Sequence, residues 1–150
     1  MTGAYVLAAA VLLAVGFGLY RRNLDGRARP VRATAGAPRL DDSLLGGPLG
    51  TGATLVQFSS AVCAPCRVTK RLLTELATAD PAVAHIEIDA EQRLDLAGTL
   101  AISRTPTVLV LDADGVVRNR IVGAPRRQEV LAALALVTGP YHPDDRQVQR

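Results

Sequence analysis

Thr54-Leu55-Val56-Gln57-Phe58-Ser59-Ser60-Ala61-Val62-Cys63-Ala64-Pro65-Cys66 is the stretch that decides the fold. An apolar run of strand character leads into the chain's 2 cysteines, three positions apart at the start of a predicted helix. A strand that delivers two thiols onto the first turn of a helix is an arrangement for moving electrons between disulfides. With both cysteines in one motif, no disulfide staple is left for the rest of the chain, so the core must hold by burial alone.

Downstream, apolar residues recur at helical spacing. Val68, Leu72, Leu76 and Leu73, Ala77 predict a buried stripe on a helix over Ala64–Ala79, which Asp80-Pro81 stops. Val83–Ile88 alternates apolar and polar residues, as a half-covered strand does. Asp89 and Gln92 read as a capping box for a helix with Leu94, Ala97 and Leu100 inward. Thr107–Leu111 is continuously apolar, the pattern of a central strand covered on both faces. Asp112-Ala113-Asp114-Gly115 predicts a hairpin turn, with Val116–Val122 returning as an antiparallel edge strand. Arg126–Thr138 closes the pattern with Val130, Leu131, Leu134 and Val137 on one helix face. The order β-α-β-α-β-β-α predicts an α/β domain over residues 54–138: a small mixed sheet with helices on both faces and a parallel first crossover.

Upstream, Gly3–Tyr20 carries no charge and has Tyr5 and Tyr20 near its ends. As a helix it spans roughly 27 Å, close to the hydrocarbon thickness of a bilayer, so residues 3–20 are expected to be a transmembrane anchor. A removed signal peptide fits less well, because Gly18-Leu19-Tyr20-Arg21-Arg22 is a poor cleavage site. Residues 21–53 read as a basic linker rich in Pro and Gly. Within 38–53, Leu40, Leu44, Leu45 and Leu49 are able to add a short strand or helical turn at the domain edge. Residues 139–150 read as a polar, disordered tail.

Charge narrows the function classes. Arginines 21, 22, 27, 29, 32 and 39 against Asp25 give +5 between residues 21 and 40, whereas residues 54–138 carry nine basic and nine acidic side chains. The folded part has no basic excess, so no nucleic-acid partner is expected. An arginine block after an apolar helix predicts an outward N-terminus and a domain on the cytoplasmic side of the cell membrane. Zinc needs about four ligands. The chain offers two thiols and the distant His85 and His142, so no metal and no cofactor is expected.

Together these residues resemble the thioredoxin family over most of 54–138. The resemblance rests on Cys63-Ala64-Pro65-Cys66 after a strand, Asp89 after the second strand, Thr105-Pro106-Thr107 before the third, and Val122-Gly123-Ala124 after the fourth. It implies a thioredoxin-like fold, a redox-active Cys63–Cys66 disulfide, and a cis Thr105–Pro106 bond facing it. It also implies substrate contacts from Thr105, Pro106, Ala64 and Pro65. The chain departs from the family pattern in several places. Val62 stands where tryptophan is usual, Ala64 where glycine is common, Gln57 where an acid commonly lies under the second cysteine, and Arg71 where a proline kinks the helix. The family's additional first strand and helix have no convincing counterpart.

On this reading Cys63, at a helix N-terminus that stabilises a thiolate, is the nucleophile and the more buried Cys66 resolves the mixed disulfide. Pro65 suits the first turn, where its missing N–H costs nothing. An amide at position 57 cannot accept the Cys66 proton, which leaves water or Glu87 for that role. His85 is expected at the surface. The expected function is a membrane-tethered reductase of protein disulfides, recharged by a donor such as thioredoxin reductase. The alternatives are an outward-facing disulfide-exchange or cytochrome c maturation protein, and a non-catalytic redox-sensing or metal-binding module.

Overall fold

The computed structural model describes residues 2–24, 27–30 and 37–138. In chain order the elements are α1 (Thr2–Leu24), β1 (Ala28–Pro30), α2 (Asp42–Leu45), β2 (Ala53–Ser59), α3 (Ala64–Ala79), β3 (Val83–Asp89), α4 (Leu94–Thr99), β4 (Thr107–Asp112), β5 (Val117–Val122) and α5 (Arg127–Thr138). The five strands form one sheet in the order β1-β5-β4-β2-β3, with β2 and β3 parallel and the other pairs antiparallel. The expected mixed sheet is present, and the apolar run of β4 lies at its centre.

Side chains alternate between two cores. Leu55, Val108, Val110 and Ile121 face α3 and α5 and pack on Leu73, Leu76, Val130 and Leu134. Val56, Phe58, Leu109, Leu111 and Val117 face the other way onto Leu40, Leu45, Leu96 and Leu100. Covering both faces explains why β2 is buried at every position. Each fully buried leucine contributes roughly 1.5–3 kcal/mol through the water it sheds.

The β4–β5 hairpin shows how a turn is specified. Asp112 accepts the N–H groups of Asp114 at 3.0 Å and Val116 at 2.9 Å on one carboxylate oxygen, and Arg118 at 2.6 Å on the other. Burial pushes this carboxyl up, but the hydrogen bonds and the Arg118 charge outweigh it and hold it below the usual range. Gly115 has φ +76°, and a Cβ there would meet the Leu40 carbonyl oxygen at 2.1 Å. Only glycine fits.

Several expectations are corrected. Val68 is exposed, and the inward stripe of α3 is Cys66, Thr69, Leu73 and Leu76. Leu94 is exposed as well, with Leu96 taking the inward place beside Ala97 and Leu100. Asp89 does not cap α4. It ends β3 and turns the chain by accepting the Glu91 N–H at 2.8 Å and the Gln92 amide at 3.2 Å, while α4 begins after Arg93. Part of the expected linker is structured: Ala28–Pro30 pairs with Asn119–Ile121, so β5 is not the sheet edge. Residues 38–53 supply one helical turn, capped by Asp41 and ended by left-handed Gly46, and they bury Leu40 and Leu45. His142 and the expected tail lie outside the described residues.

The α1 helix carries exposed apolar side chains all round, including Leu7, Leu12, Leu13, Phe17 and Leu19. Among the described residues no helix is long and apolar enough to cross a membrane, and in α1 the described side chains are Gly3 and those from Tyr5 to Tyr20.

Candidate active site

The site forms where β2 hands over to α3. Cys63 is the N-cap of α3: its backbone is extended, and its sulfur accepts the Cys66 N–H at 3.2 Å. The 16-residue helix directs its first N–H groups at this sulfur, a setting that favours a thiolate when the disulfide is open. Pro65 sits in the first turn. Cys63 and Cys66 are disulfide-bonded with Cα atoms 5.2 Å apart. Both cysteines are buried, Cys63 at 8% and Cys66 at 3% exposure, but Cys63 is flanked by exposed residues: Val62, 97% exposed, before it and Ala64 and Pro65 after it.

Thr105–Pro106 is cis and lines the same groove as Pro65, together with Arg104, Gly123, Ala124 and Arg126. Three hydrogen bonds fix this wall. The Ser60 and Thr105 hydroxyls meet at 3.1 Å, the Thr107 hydroxyl donates to the Arg104 carbonyl at 2.7 Å, and the Gly123 N–H donates to the Pro106 carbonyl at 2.8 Å. Of the expected site residues, Pro65, Thr105 and Pro106 line this groove, with Cys63, Ala64 and Cys66 adjoining Pro65 in the chain. Sequence reasoning missed Ser60, Thr107 and the two arginines. Arg104 was open to view beside Thr105-Pro106, but nothing in its spacing singles it out.

Beneath the second cysteine, Gln57 is fully buried and its Nε2 donates to the Cys66 carbonyl at 3.0 Å. The amide must present nitrogen to that carbonyl, so Oε1 points elsewhere and has no partner among the described residues. Glu87 lies opposite Gln57 in the β2–β3 register but pairs with Lys70 at 2.6 Å. Burial pushes its carboxyl up, yet hydrogen bonds from Lys70 and Ser59 and the Lys70 charge hold it below the ordinary value. A carboxylate held in this way is a poor proton acceptor for Cys66. His85 is half-buried on the edge strand β3, its Nδ1 meets the Thr74 hydroxyl at 3.1 Å, and burial pushes its pKa down. Arg67 lies exposed on the outer side of α3. Among the described residues no cluster of three or more His, Cys, Asp or Glu side chains is arranged to hold a metal ion.

Comparison with known proteins agrees with this geometry. A sequence profile described as thioredoxin matches residues 49–136. An H-type thioredoxin of Fagopyrum esculentum is 33% identical over 55% of this chain and 69% of its own length. Thioredoxin H4-1 of Oryza sativa subsp. japonica is 32% identical over 54% of this chain and 63% of its own length. A solved thioredoxin mutant from Halobacterium salinarum superposes with a TM-score of 0.53 at 20% identity, covering 59% of this chain and 76% of that one. That last likeness concerns the fold alone.

Proposed function

The chain belongs to the thioredoxin family and carries the thiol–disulfide centre of a protein-disulfide oxidoreductase, and from that premise we propose that it reduces protein disulfides while tethered to a membrane. The observation that carries the chemical part is Cys63 Sγ at the N-cap of α3, bridged to a buried Cys66 and flanked by an exposed approach. In the reduced enzyme the Cys63 thiolate attacks one sulfur of a substrate disulfide and expels the other as a thiolate, forming a mixed disulfide. The Cys66 thiolate then attacks Cys63 Sγ, releasing the second substrate thiolate and closing the Cys63–Cys66 disulfide. Two electrons and two protons pass to the substrate in all. Thr105 and Pro106, with Ala64 and Pro65, hold the substrate segment, which pairs with the Thr105 backbone as a transient strand. Electrons return from a dithiol donor of the thioredoxin reductase kind.

Tethering is supported by Gly3–Tyr20, which is uncharged and lies within a helix whose described apolar side chains are exposed. A surface apolar on all sides suits lipid rather than water. The six arginines between residues 21 and 39 support a domain on the cytoplasmic side. Alkylation of the reduced full chain in intact cells by a membrane-impermeant thiol reagent tests the side, and labelling of Cys63 would reverse it. The reduction potential tests the direction. A value near −270 mV, the thioredoxin end of the range, is expected, and one of about −120 to −180 mV would make the protein an oxidase or isomerase.

A further inference from the structure

The chain leaves the sheet toward α1 at the end that carries the dithiol. β5 is antiparallel to β4, and β4 to β2, so β5 points the same way as β2. β1 is antiparallel to β5 and therefore begins at the end where β2 finishes and hands over to α3. The register follows the same path. Phe58 stands opposite Thr107, Thr107 opposite Val122, and Ile121, the neighbour of Val122, opposite Ala28. The Asp112–Gly115 turn marks the far end, since Asp112 stands opposite Ala53 at the start of β2.

The groove and the exit toward α1 are close. Two residues beyond Ile121, Gly123 lines the groove with Ala124 and Pro65 and donates its N–H to the Pro106 carbonyl at 2.8 Å. On the other side of Ala28, residues 25–27 alone separate β1 from α1. Such a link reaches roughly 15 Å at full stretch, about half the diameter of a domain this size, and is too short to turn the groove away from α1. The same end also leaves apolar side chains outside. Val62 is 97% exposed, and Ala61, Ala64 and Pro65 are exposed around it. Apolar groups placed there suit a lipid boundary better than open water.

We propose that the tether holds the dithiol end of the domain against the lipid surface, and that the substrates are disulfides on the membrane-proximal segments of bilayer-anchored polypeptides. A sulfur close to its own anchor meets Cys63 without leaving the surface. A sulfur on a long flexible spacer spreads over a volume mostly out of reach. This inference rests on the reading of a membrane-tethered reductase and names its substrate class.

The test uses the full chain reconstituted in lipid vesicles. The chain contains no tryptophan, so Val62→Trp and Ala113→Trp each install a single reporter, the first at the dithiol end and the second at the far turn. Lipids brominated on their acyl chains should quench the reporter at position 62 and leave the one at position 113 unchanged. Pre-reduced protein without these substitutions is then given one peptide disulfide on an acyl anchor, through a spacer of about 4 or about 30 residues. Single-turnover rates should be roughly tenfold higher with the short spacer. An unquenched reporter at position 62, equal quenching at position 113, or a rate no lower with the long spacer would overturn the inference and leave the tethered reductase standing. Failure of the chain to float with the vesicles, or reduction of neither peptide, would overturn that reading and this one with it.

Discussion

Gln57 and Cys66 are joined by a hydrogen bond that runs from side-chain nitrogen to backbone oxygen, at 3.0 Å, inside the core. The amide thus braces the second cysteine's turn while offering it no base. Gln57→Asp should change both functions at once. The carboxyl would lose the bond to the Cys66 carbonyl and, when ionised, cost on the order of 2 kcal/mol in folding stability. It would also supply a proton acceptor, so resolution of the mixed disulfide should accelerate at neutral pH. Denaturation midpoints and single-turnover release of reduced substrate measure the two effects. An unchanged or slower release would discard the proton-transfer account.

The N-cap place of Cys63 and the exposed residues on either side of it predict unequal substitutions. Cys66→Ser should accumulate a stable mixed disulfide with a peptide substrate, visible by mass spectrometry without reductant. Cys63→Ser should accumulate none and lose turnover. A trapped adduct on Cys66 would reverse the assigned order of attack.

His85 predicts a pH dependence of stability. Burial lowers its pKa from 6.5, against the raising influence of Glu87 and with the lowering influence of Lys70. The unfolded chain therefore binds the proton more readily than the folded one. The stabilisation is fully present above about pH 6.5 and is lost as pH falls through the folded value. His85→Gln should flatten that part of the stability curve while leaving the loss at lower pH, where Asp112 and Glu87, both held below their ordinary values, take up protons. Urea midpoints from pH 4 to 8 in both proteins check this, and parallel curves would exclude His85 as the source.

At the end of α4, Arg120 of β5 donates to the Leu100 carbonyl at 2.6 Å and the Ala101 carbonyl at 3.1 Å. Arg120→Gln should cost about 1 kcal/mol, the scale for a half-exposed charged donor. Ala101 holds φ +49°, so Ala101→Gly should stabilise by roughly 0.5–1 kcal/mol. Thermal melts read both, and the two shifts should have opposite signs.

The residues that proved legible in the sequence were those whose role is local. The Asp112–Gly115 turn, the span of α3 and the apolar run of β4 depend on neighbours a few positions away. The cysteine pair was legible for the same reason. The misplacements came from long-range effects. Val68 keeps helical spacing yet faces solvent, because Cys66 and Thr69 take the inward side of α3 nearest the sheet. Asp89 has the composition of a cap, but its carboxylate is used one turn early. Ala28–Pro30 has no strand periodicity at all, and its pairing comes from the exposed edge of β5. Arg104 and Arg126 are 22 positions apart in sequence and line one groove, whose segments the Gly123 to Pro106 hydrogen bond joins.

That short pairing at Ala28–Pro30 also sets a working radius. A free linker over residues 21–53 would let the domain roam about 30 Å from its anchor point as a coil. With β1 built into the sheet, only three residues separate it from α1, a reach of roughly 15 Å at full stretch. On the anchored reading the dithiol is leashed to the lipid surface and samples it by lateral diffusion. Its clientele then consists of disulfides that pass within one domain's width of the bilayer.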